Sequence, residues 1–114
     1  MSILIIAEAG VNHNGKIHIA KQLIDAAADA GADMVKFQTF VADRLVTKNA
    51  SKAAYQKKST DTEESHYEMI RNLELTREMH EELIRYCNTR DIKFFSTGFD
   101  VGSINMLVEL GINV

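Results

Sequence analysis

Ile3-Leu4-Ile5-Ile6-Ala7 is an unbroken aliphatic run, the pattern of a strand buried on both faces of a parallel sheet. Glu8 to Gly15 breaks it with two glycines and two asparagines and reads as a loop. From Ile17 the apolar positions Ile17, Ala20, Ile24, Ala27 and Ala28 recur at helical spacing, with Lys16, Lys21, Asp25 and Asp29 off that stripe. Gly31 stands where a left-handed helix C-cap is wanted, and Met34 to Thr39 predicts a second strand. Ala42 to Glu64 is polar, carries Lys48, Lys52, Lys57 and Lys58, and has no sustained apolar period. Connections this long are uncommon in compact domains and are often functional. Ser65 and Glu68 make a capping-box pair ahead of Met69, Ile70 and Leu73, predicting a short helix. Thr76 caps a longer one with a buried stripe of Met79, Leu83, Tyr86 and Cys87. Lys93 to Thr97 predicts a third strand, and Asp100 or Ser103 starts a helix that runs through Ile104, Leu107 and Val108 to Gly111. Ile112 to Val114 looks like the opening of a fourth strand.

Strands alternating with helices, joined by right-handed crossovers, give a parallel sheet. An internal echo agrees: Ala30-Gly31-Ala32-Asp33-Met34-Val35 and Leu110-Gly111-Ile112-Asn113-Val114 both run from a helix end through a glycine into a strand. The chain has no proline, so every element interior keeps its amide donors. A fourth strand that stops at once has no covering helix and an unpaired edge. The domain is therefore expected to be incomplete over residues 1–114.

Strand alternation puts Met34, Lys36 and Gln38 on one face and Val35, Phe37 and Thr39 on the other. A strand with an ammonium and an amide on one face does more than pack. Glu8, Lys36, Gln38, Ser96 and Thr97 all fall at carboxyl ends of predicted strands, where barrels and open α/β sheets place their sites. A lysine and a hydroxyl suit phosphate or carboxylate oxygens. A carboxylate beside them suits proton handling or hydroxyl binding. Taken singly, Glu8 is equally well a solvated turn residue and Thr97 an ordinary strand residue. Lys36 is harder to dismiss, because a mid-strand lysine in an apolar run must snorkel or find an anion.

Other classes fit less well. The net charge is −3, with basic residues spread along the 114 positions, and nucleic-acid binding needs a concentrated basic face. Cys87 is the only cysteine, so no intrachain disulfide forms and a reducing, cytoplasmic setting is expected. The apolar start lacks a basic flank and is too short to span a bilayer. Gly10 to Lys16 fits G-x-x-x-x-G-K between a strand and a helix. However, Ile17 stands where a nucleotide-binding P-loop needs Ser or Thr for magnesium, and no aliphatic run ends in the second metal-binding aspartate. His13, His18, His66 and His80 form no zinc pattern; His18 and His80 read as exposed helix residues, and His13 as a hydrogen-bonded loop residue within reach of a ligand.

Ala7-Glu8-Ala9-Gly10-Val11-Asn12-His13-Asn14-Gly15 resembles the A-E-I-G-x-N-H-x-G opening of the sialic acid synthase family. Val35-Lys36-Phe37-Gln38-Thr39 resembles its second-strand motif, and Phe95-Ser96-Thr97-Gly98-Phe99-Asp100 its third-strand S-T-P-F-D. The resemblance implies an α/β fold, the N-terminal portion of a (β/α)8 TIM barrel with about three βα units plus the start of strand four. The rest of the barrel and a small C-terminal antifreeze-like domain would lie outside this chain. It implies condensation of phosphoenolpyruvate with a free N-acylated hexosamine to a nonulosonic acid plus phosphate, in a cytoplasmic homodimer with no nucleic-acid or membrane partner. A divalent metal, Mn2+ or Mg2+, would polarise the aldehyde from ligands outside this chain. Glu8 would be the catalytic carboxylate, Lys36 would act in catalysis and hold phosphoenolpyruvate with Thr97, and Gln38 and Ser96 would support them. Ala42 to Leu73 would overhang the mouth. Gly98 replaces the usual proline, an expected loosening of the turn, and Ala9 replaces a frequent isoleucine. Related barrel synthases that condense phosphoenolpyruvate with sugar phosphates are the neighbouring reading. A non-catalytic partial barrel acting by self-association is the other.

Overall fold

The computed structural model of the chain describes residues 3–45 and 66–112. Strands β1 (Ile6–Gly10), β2 (Met34–Thr39) and β3 (Lys93–Gly98) form one parallel sheet in the order β1-β2-β3. Helix α1 (Ile17–Asp29) joins the first two strands, and α4 (Arg77–Thr89) leads into the third. Between β2 and α4 lie the single turn α2 (Ala42–Leu45) and helical residues 66–72, here α3. Helix α5 (Val101–Glu109) follows β3.

The apolar stripes decide which way each helix faces. Ala20, Ile24 and Ala27 of α1 and Leu83 and Cys87 of α4 are buried against Val35, Phe37 and Phe94 of the sheet. The two helices lie together, tied at their outer edge by Tyr86 donating to Asp25 at 2.6 Å and by Lys21–Glu82 and Arg90–Asp29 pairs, both 2.6 Å. Thr76 caps α4 through Met79 N–H, and Asp100 caps α5 through Ser103 N–H, satisfying amides that a helix start leaves free. Both helix ends at Gly31 and Gly111 use a left-handed glycine, φ +83° and +84°. Ala32 then donates back to Ala27, and Ile112 to Leu107, so the sequence echo is a repeated cap.

Four sequence expectations change. The first strand covers Ile6–Gly10, not Ile3 to Ala7, so Glu8 lies within it rather than closing it. His80 is fully buried, not exposed. Gly98 does not loosen a turn: β3 runs through it, paired with Thr39, and a Cβ there would lie 2.7 Å from Ile104 Cγ1 and 3.0 Å from Ile104 N. The absent side chain lets the start of α5 pack directly on the strand. Residues 42–45 form a helical turn where a polar loop was expected. Ser65 of the capping box and the Asn113-Val114 end of the fourth strand lie outside the described residues.

Apolar side chains are left uncovered on both flanks. Ile3 and Leu4 ahead of β1, and Val101 and Val108 on α5, are all more than half exposed.

Candidate functional site

The second strand has a dry face and a wet one. Val35, Phe37 and Thr39 are buried toward the helices, whereas Met34, Lys36 and Gln38 are partly open on the opposite face. Parallel register places Glu8 beside Lys36 and Gln38 beside Thr97. The Lys36 ammonium lies 3.6 Å from Glu8 Oε2, with both side chains well hydrated. Register shifts between Glu8 and Gly10, a bulge that inserts one residue into β1. Gly10 takes φ +56°, and a Cβ there would sit 3.3 Å from Glu8 Oε1 and 3.5 Å from Gln38 Nε2. The carboxylate and the amide thus close over a glycine that leaves them room. Glu8, Lys36, Gln38 and Thr97 form one cluster of an anion, a cation, an amide and a hydroxyl along the carboxyl ends of the strands.

Ser96 does not join them. Its register partner is Phe37, on the dry face, and it is fully buried with its hydroxyl 2.6 Å from Thr39 Oγ1. Sequence adjacency to Thr97 suggested a shared role, but period-2 alternation sends neighbours to opposite faces.

The loop after β1 spends its amides on itself. Asn12 donates to Ala9 O, Asn14 to Val11 O, Lys16 to His13 O, and Gly15 N–H to His13 Nδ1 at 2.8 Å. A phosphate-binding loop turns such amides toward its ligand. Here His13 fills the turn, so the G-x-x-x-x-G-K match is not a phosphate cradle. Burial, with a smaller contribution from His80, lowers the His13 pKa, and the neutral ring presents Nε2–H, which has no hydrogen-bond partner among the described residues. Gly15 is pressed against α3's end: a Cβ would fall 1.8 Å from Asn72 O. That contact lays residues 72–73 of the long insertion over the β1–α1 loop.

Behind the cluster the rings of His13, Phe37, Phe94 and His80 form a row, with centroids 6.0, 5.4 and 6.1 Å apart. Among the described residues, no group of three or more His, Cys, Asp or Glu side chains is placed to hold a metal ion. No helix there is long and apolar enough to cross a membrane.

Residues 23–114 match the model of the NeuB family. The chain belongs to the NeuB family. It is 52% identical over 112 residues to an N,N'-diacetyllegionaminic acid synthase of Legionella pneumophila, covering 98% of this chain and 32% of that protein. It is 33% identical to the human N-acetylneuraminate-9-phosphate synthase, over 95% of this chain and 30% of that one. A crystal structure of an N-acetylneuraminic acid (sialic acid) synthetase from Leptospira borgpetersenii superposes with a TM-score of 0.80 at 31% identity, covering 98% of this chain and 34% of that chain. This NeuB-family chain therefore spans about a third of the length of the relatives it matches. Its three parallel strands, alternating with helices, form the N-terminal part of an α/β barrel.

Proposed function

We propose that the full-length protein carrying this chain condenses phosphoenolpyruvate with a free N-acylated hexosamine to a nonulosonic acid and phosphate. The observation that carries this reading is the Glu8–Lys36 pair, 3.6 Å apart, with Gln38 and Thr97 on the same wet face in register. The relatives are synthases of such sugar acids.

In this reading C3 of phosphoenolpyruvate bonds to the aldehyde carbon of the sugar, and the aldehyde oxygen takes up a proton. Water adds at C2 and phosphate leaves, so the product is a 2-keto acid. Lys36 and Thr97 hold the anionic oxygens of phosphoenolpyruvate, a charged donor and a hydroxyl on neighbouring strands. Gln38 fixes the orientation between them. Glu8, aimed by its contact with Lys36 at 3.6 Å, relays the proton lost by the adding water to the aldehyde oxygen. The strands supply rigid placement, which removes much of the entropy cost of a two-substrate reaction. The described residues do not fit a metal site. A divalent cation, Mn2+ or Mg2+, would take its ligands outside this chain, and none of these roles depends on it. A cytoplasmic homodimer is the setting this reading implies.

The test is phosphate release from phosphoenolpyruvate by the full-length protein, with manganese, across a panel of free hexosamines. Release that depends on one sugar, abolished by Lys36→Ala, is expected. Release that requires a phosphorylated sugar would move the assignment to the neighbouring barrel synthases. Near wild-type release by Lys36→Ala would remove Lys36 from the site.

A further inference from the structure

Beneath the cleft, on the dry face, three polar side chains are sealed together. Ser96 Oγ lies 2.6 Å from Thr39 Oγ1, and Thr39 Oγ1 lies 2.8 Å from His80 Nε2. His80 Nδ1 lies 2.7 Å from the carbonyl of Thr76, and Ser96, Thr39 and His80 are each at most 1% exposed. The Thr76 contact and the burial of the ring together set the direction. A carbonyl only accepts, so Nδ1 carries the proton. Burial lowers the His80 pKa, partly opposed by the Thr76 carbonyl, so the ring is neutral and Nε2 is a lone pair. Thr39 must donate its single proton to Nε2, which leaves its oxygen to accept from Ser96. Thr76 in turn caps α4 through Met79 N–H.

We propose that His80 is a positioning residue, terminating a one-way hydrogen-bond chain from Ser96 through Thr39 that fixes the carboxyl ends of β2 and β3. Thr39 and Ser96 each directly follow or precede a cleft residue, Gln38 and Thr97 in turn, which are register partners one residue away on the wet face. Locking the dry side of the two strands sets the spacing of the amide and the hydroxyl that hold the phosphate-bearing anion. Plain packing does not need this chemistry: aliphatic residues at 39, 80 and 96 together would fill the space with no side-chain polar group to satisfy. The inference rests on the synthase reading for its activity readout; its structural readout rests on the hydrogen-bond geometry and on the burial that keeps the His80 ring neutral.

The test uses the full-length protein. Thr39→Val keeps the shape and removes the hydroxyl; the KM for phosphoenolpyruvate is expected to rise roughly tenfold or more, since small misplacements of binding groups are costly. Thr39→Ser restores the hydroxyl and is expected to return KM to within about threefold of wild type. Cys87→Ala, a core change away from the chain, is expected to lower Tm with KM unchanged. A Thr39→Val enzyme with wild-type KM, or a Cys87→Ala enzyme with the same KM rise, would overturn the proposal. Independently of turnover, 15N spectra of histidine-labelled wild-type protein, assigned by loss of the signal in His80→Gln, should show Nδ1 protonated and Nε2 bare. A cationic ring or a proton on Nε2 at neutral pH would overturn it too. If the wild-type protein releases no phosphate with any sugar, the synthase reading fails, and the ring-nitrogen spectrum still decides the chain.

Discussion

Glu8 Oε2 and Lys36 Nζ face each other at 3.6 Å across two adjacent parallel strands, one register step deep, with about half of the carboxylate side chain still in water. An ion pair so exposed contributes about 0–1 kcal/mol to folding. Holding the strands together is therefore not its main effect. Glu8→Gln is expected to leave urea-unfolding stability within about 1 kcal/mol of wild type. The same change is expected to reduce sugar-dependent phosphate release by roughly 10²-fold or more, the scale of lost proton handling. Retained turnover together with a large stability loss would show the pair to be structural.

Two glycines of the first loop separate chemistry from scaffold. At Gly10 a methyl group meets only the ends of Glu8 and Gln38, at 3.3 and 3.5 Å, and the left-handed backbone costs about 1–2 kcal/mol. Gly10→Ala is expected to fold, with activity depressed more than stability. At Gly15 the methyl would fall 1.8 Å from a backbone oxygen that no rotamer can move. Gly15→Ala is expected to cost roughly 2–5 kcal/mol, strain and overpacking together. Chemical denaturation alongside phosphate release distinguishes the two; equal stability losses would contradict the contact with Asn72.

Asp100 predicts an acid-side weakness. Burial alone would raise its pKa, but hydrogen bonds from the Ser103 amide and hydroxyl, from Arg44 and from the Val41 amide outweigh that and hold the carboxyl below its ordinary value. Its stabilisation is complete above the unfolded-state pKa of about 3.9 and is lost as pH falls through the lower folded-state value. Asp100→Asn still caps α5 but does not titrate. Its stability should fall less than that of wild type between about pH 5 and pH 3. Parallel declines would assign the acid sensitivity to other carboxylates.

Cys87 is sealed between α1, α4 and the sheet, and burial pushes its thiol pKa up to about 12. The thiolate is the reactive form. Native protein at pH 8 is expected to leave Cys87 unlabelled by a thiol reagent, with full labelling after denaturation, located by peptide mass spectrometry. Labelling of the folded protein within minutes would show that α4 opens readily.

Much of this architecture is legible in residue order. Met34–Thr39 is bounded as its pattern predicts, because its period-2 alternation is a local property. The same alternation correctly separates Lys36 and Gln38 from Val35 and Phe37. Most of the differences are tertiary. His80 carries a helix-surface residue type, and its ring is satisfied inside by Thr39, 41 positions away, and by the Thr76 carbonyl. Ser96 was grouped with Thr97 by sequence adjacency, although alternation alone could have separated them. The bulge at Ala9 left no signal beyond Gly10, so the extent of the first strand was misjudged. The Gly98–Ile104 contact depends on where α5 docks, which no local pattern records.

The row of rings from His13 to His80 gives the cleft an electrical back wall. Phe37 and Phe94, stacked at 5.4 Å between two imidazoles, are a dry, low-dielectric layer on the face of the sheet opposite Lys36. Water is excluded on that side, so the field of the Glu8–Lys36 pair acts mainly toward the open one. Capture of an anion at Lys36 is expected to quicken in Glu8→Gln, which removes the opposing charge at 3.6 Å, and that gain is expected to shrink as salt is added.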